Sequence, residues 1–154
     1  MARNQPRCAM EEAQVLSRLR EVCLRLPEVR ETIKWGHPTF EAGKKMFAVL
    51  DRYAGRACIA FRASSERRPL LLADQRFFEA PYAARHGWVC LRADGRLNWR
   101  EIEMLLLESY RLVALKRMVA ALDDQAEARG IVQQRPKHSS KTRTRAKHAG
   151  GCQM

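Results

Sequence analysis

The chain has 154 residues, with 29 Lys or Arg against 17 Asp or Glu, a formal charge of +12 and a hydrophobic share of 46%. That length and composition suit one globular domain with a tail, and the longest apolar runs, such as Leu70-Leu71-Leu72-Ala73, are far too short to span a bilayer. The start, Met1-Ala-Arg-Asn-Gln-Pro-Arg-Cys8, has no apolar h-region, so no secretory leader is expected and the cytoplasm is the expected compartment.

In chain order, residues 1–9 are expected to form a flexible N-terminus, and residues 10–26 predict an amphipathic helix. Leu16, Leu19, Cys23 and Leu26 recur at spacings of three and four, while Glu11, Glu12, Arg18, Arg20, Glu21 and Arg25 fill the other faces. Pro27 is expected to end that helix, because the residue before a proline is pushed out of the helical region. Trp35-Gly-His-Pro-Thr-Phe40 reads as a strand entering a turn at Glu41-Ala-Gly43-Lys44-Lys45. Met46-Phe-Ala-Val-Leu50 and Ala57-Cys-Ile-Ala-Phe61 are short and apolar, and with the polar connection Asp51 to Arg56 between them they predict a hairpin. Residues 64–76 suggest a short helix capped by Ser64 or Ser65, its start shifted by Pro69. Trp88-Val-Cys-Leu-Arg92 reads as another strand. Asn98, three residues before Glu101, predicts the cap of a long helix with Trp99, Ile102, Leu106, Tyr110 and Val113 on one face, running past Leu122 to a stop at Gly130. This order implies an α+β domain over residues 10–130, with an antiparallel sheet and helices packed on one face.

The charge is unevenly spread. Arg135, Lys137, Lys141, Arg143, Arg145 and Lys147 fall in a stretch without an acidic residue, which leaves a body of +6. Residues 131–154, rich in Ser, Thr, Lys, Arg, Gly and Ala, cannot bury a core and are expected to be a disordered basic tail. Such a tail adds nonspecific attraction to any polyanion. The five cysteines, at 8, 23, 58, 90 and 152, are odd in number and contain no Cys-x-x-Cys, so reduced thiols buried as small hydrophobes are expected in place of disulfides or a zinc site. No glycine-rich phosphate loop is present. The only histidines ahead of the tail, His37 and His86, could each meet a carboxylate such as Asp51 or Glu79, but no spacing requires it, so no catalytic residue and no cofactor are expected.

Several ordered blocks carry a further signal: Leu26-Pro-Glu-Val29, Lys34-Trp-Gly-His-Pro-Thr-Phe40, Lys45-Met-Phe-Ala-Val-Leu-Asp51, Ala80-Pro-Tyr82, Arg85-His-Gly-Trp-Val89 and Leu107-Glu-Ser-Tyr-Arg-Leu-Val113. From about Glu11 to Met118 the chain resembles the MmcQ/YjbR family. The resemblance implies a frataxin-like (CyaY-like) α+β fold, a double-wing motif and DNA binding. Two positions depart from the family pattern: Lys44 beside Gly43, and the unusually basic Ser65-Glu-Arg-Arg-Pro-Leu70. Frataxin-like folds can hold iron on an acidic first helix, but here Arg18, Arg20 and Arg25 stand among Glu11, Glu12 and Glu21, so no metal is expected.

The turn residues are the expected contacts to nucleic acid. Lys44 and Lys45 occupy one turn, Arg52 and Arg56 the next connection, and Arg67 and Arg68 the start of the middle helix. Neighbouring hairpin tips projecting like wings would set these cations on backbone phosphates without reading sequence. Trp88, beside Arg85 and His86, is the best candidate for an exposed aromatic among cations. The expected function is thus that of a small monomeric protein binding double-stranded DNA with low specificity. The alternative is a protein-interaction or small-ligand module using the concave face of the sheet, with an exposed apolar patch or pocket around Trp35, Phe40 and Trp88.

Overall fold

The computed structural model describes residues 7–81 and 83–130, with side chains from residue 12 onward. Residues 1–6, in the expected flexible N-terminus, and the expected basic tail at 131–154 lie outside the described residues. The elements in order are α1 (Arg7–Cys23), β1 (Val29–Lys34), β2 (His37–Ala42), β3 (Lys45–Tyr53), β4 (Arg56–Arg62), α2 (Arg67–Leu72), β5 (Phe77–Glu79), β6 (Trp88–Arg92), α3 (Trp99–Val113) and α4 (Lys116–Ala128), with a 3-10 turn at Ala84–His86. All strand pairs are antiparallel, and the sheet order is β1-β2-β3-β4-β6-β5. The helices cover one face, so the chain is an α+β protein of two layers.

The main core lies between helices and sheet. Val15, Leu19, Val22 and Cys23 of α1 and Ile102, Leu105, Leu106, Tyr110 and Val113 of α3 meet Phe40, Phe47, Leu50, Ile59, Phe61, Val89 and Leu91. A bulge makes this packing possible. Phe40 pairs with Ala48 but Glu41 with Met46, so Phe47 is an extra residue, and both it and Ala48 reach the helical side. Ser109 of α3, fully buried, takes up the freed backbone: its hydroxyl donates to the Phe47 carbonyl at 2.6 Å and accepts the Arg62 N–H at 2.9 Å. Ser109→Ala is expected to lower stability by about 1–2 kcal/mol, because two backbone groups lose their partner at once. Urea unfolding with an unchanged slope checks this.

Several elements differ from the sequence expectation. The first helix stops at Cys23, ahead of Pro27, and the chain reverses at Glu28 with φ 55°. Trp35 and Gly36 form a turn, not a strand, and β3 runs on through Asp51 to Tyr53, so its hairpin closes only at Ala54-Gly55. The middle helix is confined to Arg67–Leu72. The long last helix breaks in two at Ala114, whose ψ of 146° is extended, and α4 folds back to bury Met118. Asn98 caps α3 as expected, accepting the Glu101 N–H at 3.4 Å. Cys23, Cys58 and Cys90 are buried free thiols, while the Cys8 side chain and Cys152 lie outside the described residues.

Candidate nucleic-acid interface

Antiparallel hairpins alternate their turns between the two ends of a sheet. The β1–β2 and β3–β4 turns and the exit of β6 therefore share one end, called here the Trp35 end. The β2–β3 turn, the exit of β4 and the 3-10 turn share the opposite, Lys44 end. The start of α4 lies there too, since a side chain added at Gly43 would meet Met118 Cε at 2.9 Å. This alternation corrects the expected pair of wings: Lys44 and Lys45 stand at one end, Arg52 and Arg56 at the other.

The expected contact residues also differ in what already holds them. Arg52 reaches across to Glu12 of α1. Arg56 lies 3.3 Å from Asp94, Arg67 3.2 Å from Glu108 and Arg68 2.8 Å from Glu79. These four arginines are thus engaged with carboxylates of the fold. Trp88 is corrected outright. It is only 8% exposed, packed with Ala80 and Ala83 over Cys58, Ala60 and Cys90 on the helix-free face, and no base can stack on it. Lys44, Lys45, Arg85 and His86 are exposed. Neither lysine nor Arg85 meets a carboxylate among the described residues, and His86 contributes its carbonyl to Arg62 Nη2 at 3.2 Å.

Two cations that the sequence reasoning missed stand at the same end. Arg62 closes β4 and its guanidinium donates to that neutral carbonyl, and Lys116 opens α4, exposed; neither side chain meets a carboxylate among the described residues. The strand order, which brings the exit of β4 beside the 3-10 turn, is what reveals Arg62. The Lys44 end therefore presents Lys44, Lys45, Arg62, Arg85 and Lys116. Among the acids there, Glu28 is taken by Arg117, which holds its carboxyl below the usual range chiefly by hydrogen bonding, and Glu79 and Glu108 are taken by Arg68 and Arg67. Glu66, exposed before α2, has no cationic partner among the described residues.

Other chemistry is sparse. His37 Nε2 lies 3.3 Å from Asp51 Oδ1, across β2 and β3. The Cys58 thiol is pushed far up, first by its hydrogen bond with Cys90 and then by burial, and stays protonated at neutral pH. Glu12 and Glu21 are drawn to Arg52 and Arg18. No group of three or more metal-binding side chains gathers among the described residues. No helix among them is long and apolar enough to cross a membrane. Phe40 is buried under the helices, Trp88 is buried on the helix-free face and Trp35 is exposed, so the expected apolar patch or pocket joining the three is not formed; an open cleft lies elsewhere, between α1 and the β6–α3 loop, lined by Val15, Arg18, Leu97 and Trp99.

This is the architecture of a small two-layer α+β protein with one helix-free sheet face and a basic sheet end. The chain belongs to the YjbR family, whose model matches residues 24–112. It is similar in structure to a Deinococcus radiodurans protein with a DUF419 domain, at TM-score 0.59 and 24% identity over 70% of this chain and 87% of that one. It is also similar to a Pseudomonas syringae protein, at TM-score 0.52 and 15% identity over 65% of this chain and 96% of that one. These likenesses concern the fold. No curated protein matches the sequence.

Proposed function

We propose that the protein binds double-stranded DNA with low sequence specificity, meeting backbone phosphates with the Lys44 end of the sheet. The observation that carries this reading is the segregation of charge: Lys44, Lys45, Arg62, Arg85 and Lys116 share one sheet end and meet no carboxylate among the described residues, whereas Arg52, Arg56, Arg67 and Arg68 are paired within the fold. Uncommitted lysines and arginines release counterions from DNA without first breaking an ion pair. Contacts of this kind position a duplex and read no bases. The six cations at 135–147 add attraction of the same nonspecific kind. The reading involves no catalytic step, cofactor or metal, and supposes a monomer in the cytoplasm.

Anisotropy titrations of a short duplex at several salt concentrations test it. Lys44→Ser, Lys45→Ser and Arg85→Ser together are expected to reduce the slope of log affinity against log salt by about 3, close to one phosphate each. Thermal unfolding should hardly move, because exposed charges contribute little to folding. Arg52→Ser with Arg56→Ser is expected to leave the slope unchanged. The opposite ranking of the two variants would return the contact to the Trp35 end, and a slope that responds only to deletion of residues 131–154 would remove the folded domain from binding altogether.

A further inference from the structure

The helix-free face has its own chemistry, distinct from the Lys44 end. Register and strand alternation place Arg30, Lys34, Arg56 and Arg92 on it, with Arg62 at its Lys44 end, against Glu41 and Asp51, and Asp94 of the β6–α3 loop meets Arg56. Toward the Trp35 end this basic face becomes aromatic. The rings of Tyr53 and Phe78 lie 5.4 Å apart at 37°, and the Arg92 guanidinium stands 4.9 Å above Phe78. Phe78 packs beside the small residues Cys58, Ala60 and Cys90, and Tyr53 remains 49% exposed.

Trp35 stands at the same end of the sheet as this pair, in the β1–β2 turn, while Tyr53 closes β3. Trp35 is 83% exposed, with no ring or cation contact among the described residues. It also holds φ at 50°, followed by Gly36 at 79°, the pattern of a type I′ turn whose first position favours Asn, Asp or Gly. A large apolar ring there is unfavourable twice over, in hydration and in backbone conformation, and the fold gains nothing from it.

We infer that the Trp35 end of the helix-free face binds single-stranded nucleic acid, with bases stacked on Trp35 and Tyr53 and phosphates drawn to Arg92 and to Arg96 of the β6–α3 loop, which meets no carboxylate among the described residues. Exposed rings interleaved with cations suit a polyanion whose bases offer free π-faces. A duplex hides those faces within its own stack, so this surface selects unpaired strands. The excess of cations over carboxylates on the face disfavours an acid-poor protein partner.

The test uses the full chain with an oligothymidylate, a short duplex, and polyphosphate as a polyanion without bases. Trp35→Asn is the decisive variant, because Asn accepts positive φ and the melting temperature should hold or rise. It is expected to weaken oligothymidylate binding about tenfold, near the lower end of what one lost base–aromatic stack costs, with polyphosphate and duplex affinities unchanged. Tyr53→Ala should act in the same direction. Lys44→Ser with Lys45→Ser should weaken duplex binding and spare the oligothymidylate, so failure of this site and failure of the duplex reading are told apart. Equal oligothymidylate affinity for Trp35→Asn and the parent chain would overturn the inference, as would an oligothymidylate bound no more tightly than polyphosphate.

Discussion

Tyr110→Ala is expected to lower the unfolding free energy by about 4 kcal/mol, within the range for emptying a buried aromatic site. Tyr110 is fully buried, and its ring meets Phe47 edge-on at 5.5 Å and 81°. Phe47 is the bulged residue of β3, so this contact locks α3 onto the irregular part of the sheet. The Tyr110 hydroxyl also donates to the Pro27 carbonyl at 2.8 Å, tying α3 to the connection between α1 and β1. The ring outweighs the hydroxyl. Tyr110→Phe keeps the packing, loses one hydrogen bond and is expected to cost about 1 kcal/mol. Urea unfolding of the two variants separates these contributions, and a Phe variant as damaged as the Ala variant would show that the Pro27 anchor holds α3 in place.

The parts of the fold that were legible in the sequence are those specified locally. The apolar runs of β3, β4 and β6 and the Asn98 cap need only neighbours in sequence. The edge strand β1 was not recognised, because Val-Arg-Glu-Thr-Ile-Lys lies half in solvent and lacks a continuous apolar run. β5 is only three residues long. The break between α3 and α4 carries neither Gly nor Pro, and it is imposed by tertiary packing, with Tyr110 and Met118 both drawn into the core. The candidate interface depended still more on distant partners. Glu12 lies 40 positions before Arg52, and Glu108 lies 41 after Arg67, so no local pattern shows which arginines are already paired. The alternation of hairpin ends follows from topology, and it would have separated Lys44 from Arg52 once the strands were placed in order. Trp88 misled because the cations beside it in sequence, Arg85 and His86, belong to the 3-10 turn, while the ring itself packs on the sheet.

Arg30→Met with Lys34→Met is expected to destabilise the protein by about 3 kcal/mol at neutral pH and to invert its response to acid. The Glu41 carboxyl is 2% exposed, covered by the two side chains that pair with it: Lys34 binds one oxygen, and Arg30 Nε lies 3.2 Å from the other. The hydrogen bond from Lys34, with further help from Lys34's charge and from Arg30, outweighs desolvation and holds this carboxyl below its ordinary value of 4.5. A carboxylate with a lowered folded-state pKa contributes stability that is present above the unfolded value and lost as pH falls through the folded one. Removing both cations leaves only desolvation, which raises the pKa, so the variant should lose stability as pH climbs past the unfolded value and recover it when Glu41 is protonated. The loss lies at the low end of that for a broken buried pair, because Glu41 lies on the open face, one side chain from water. Unfolding free energies between about pH 4 and 7 should therefore rise with pH in the parent chain wherever Glu41 titrates and fall in the variant. Parallel profiles for the two proteins would mean that water reaches Glu41 in place of the lost cations. Adding Glu41→Gln to the double variant is expected to flatten its profile and restore most of the lost stability, since a neutral amide needs no counterion.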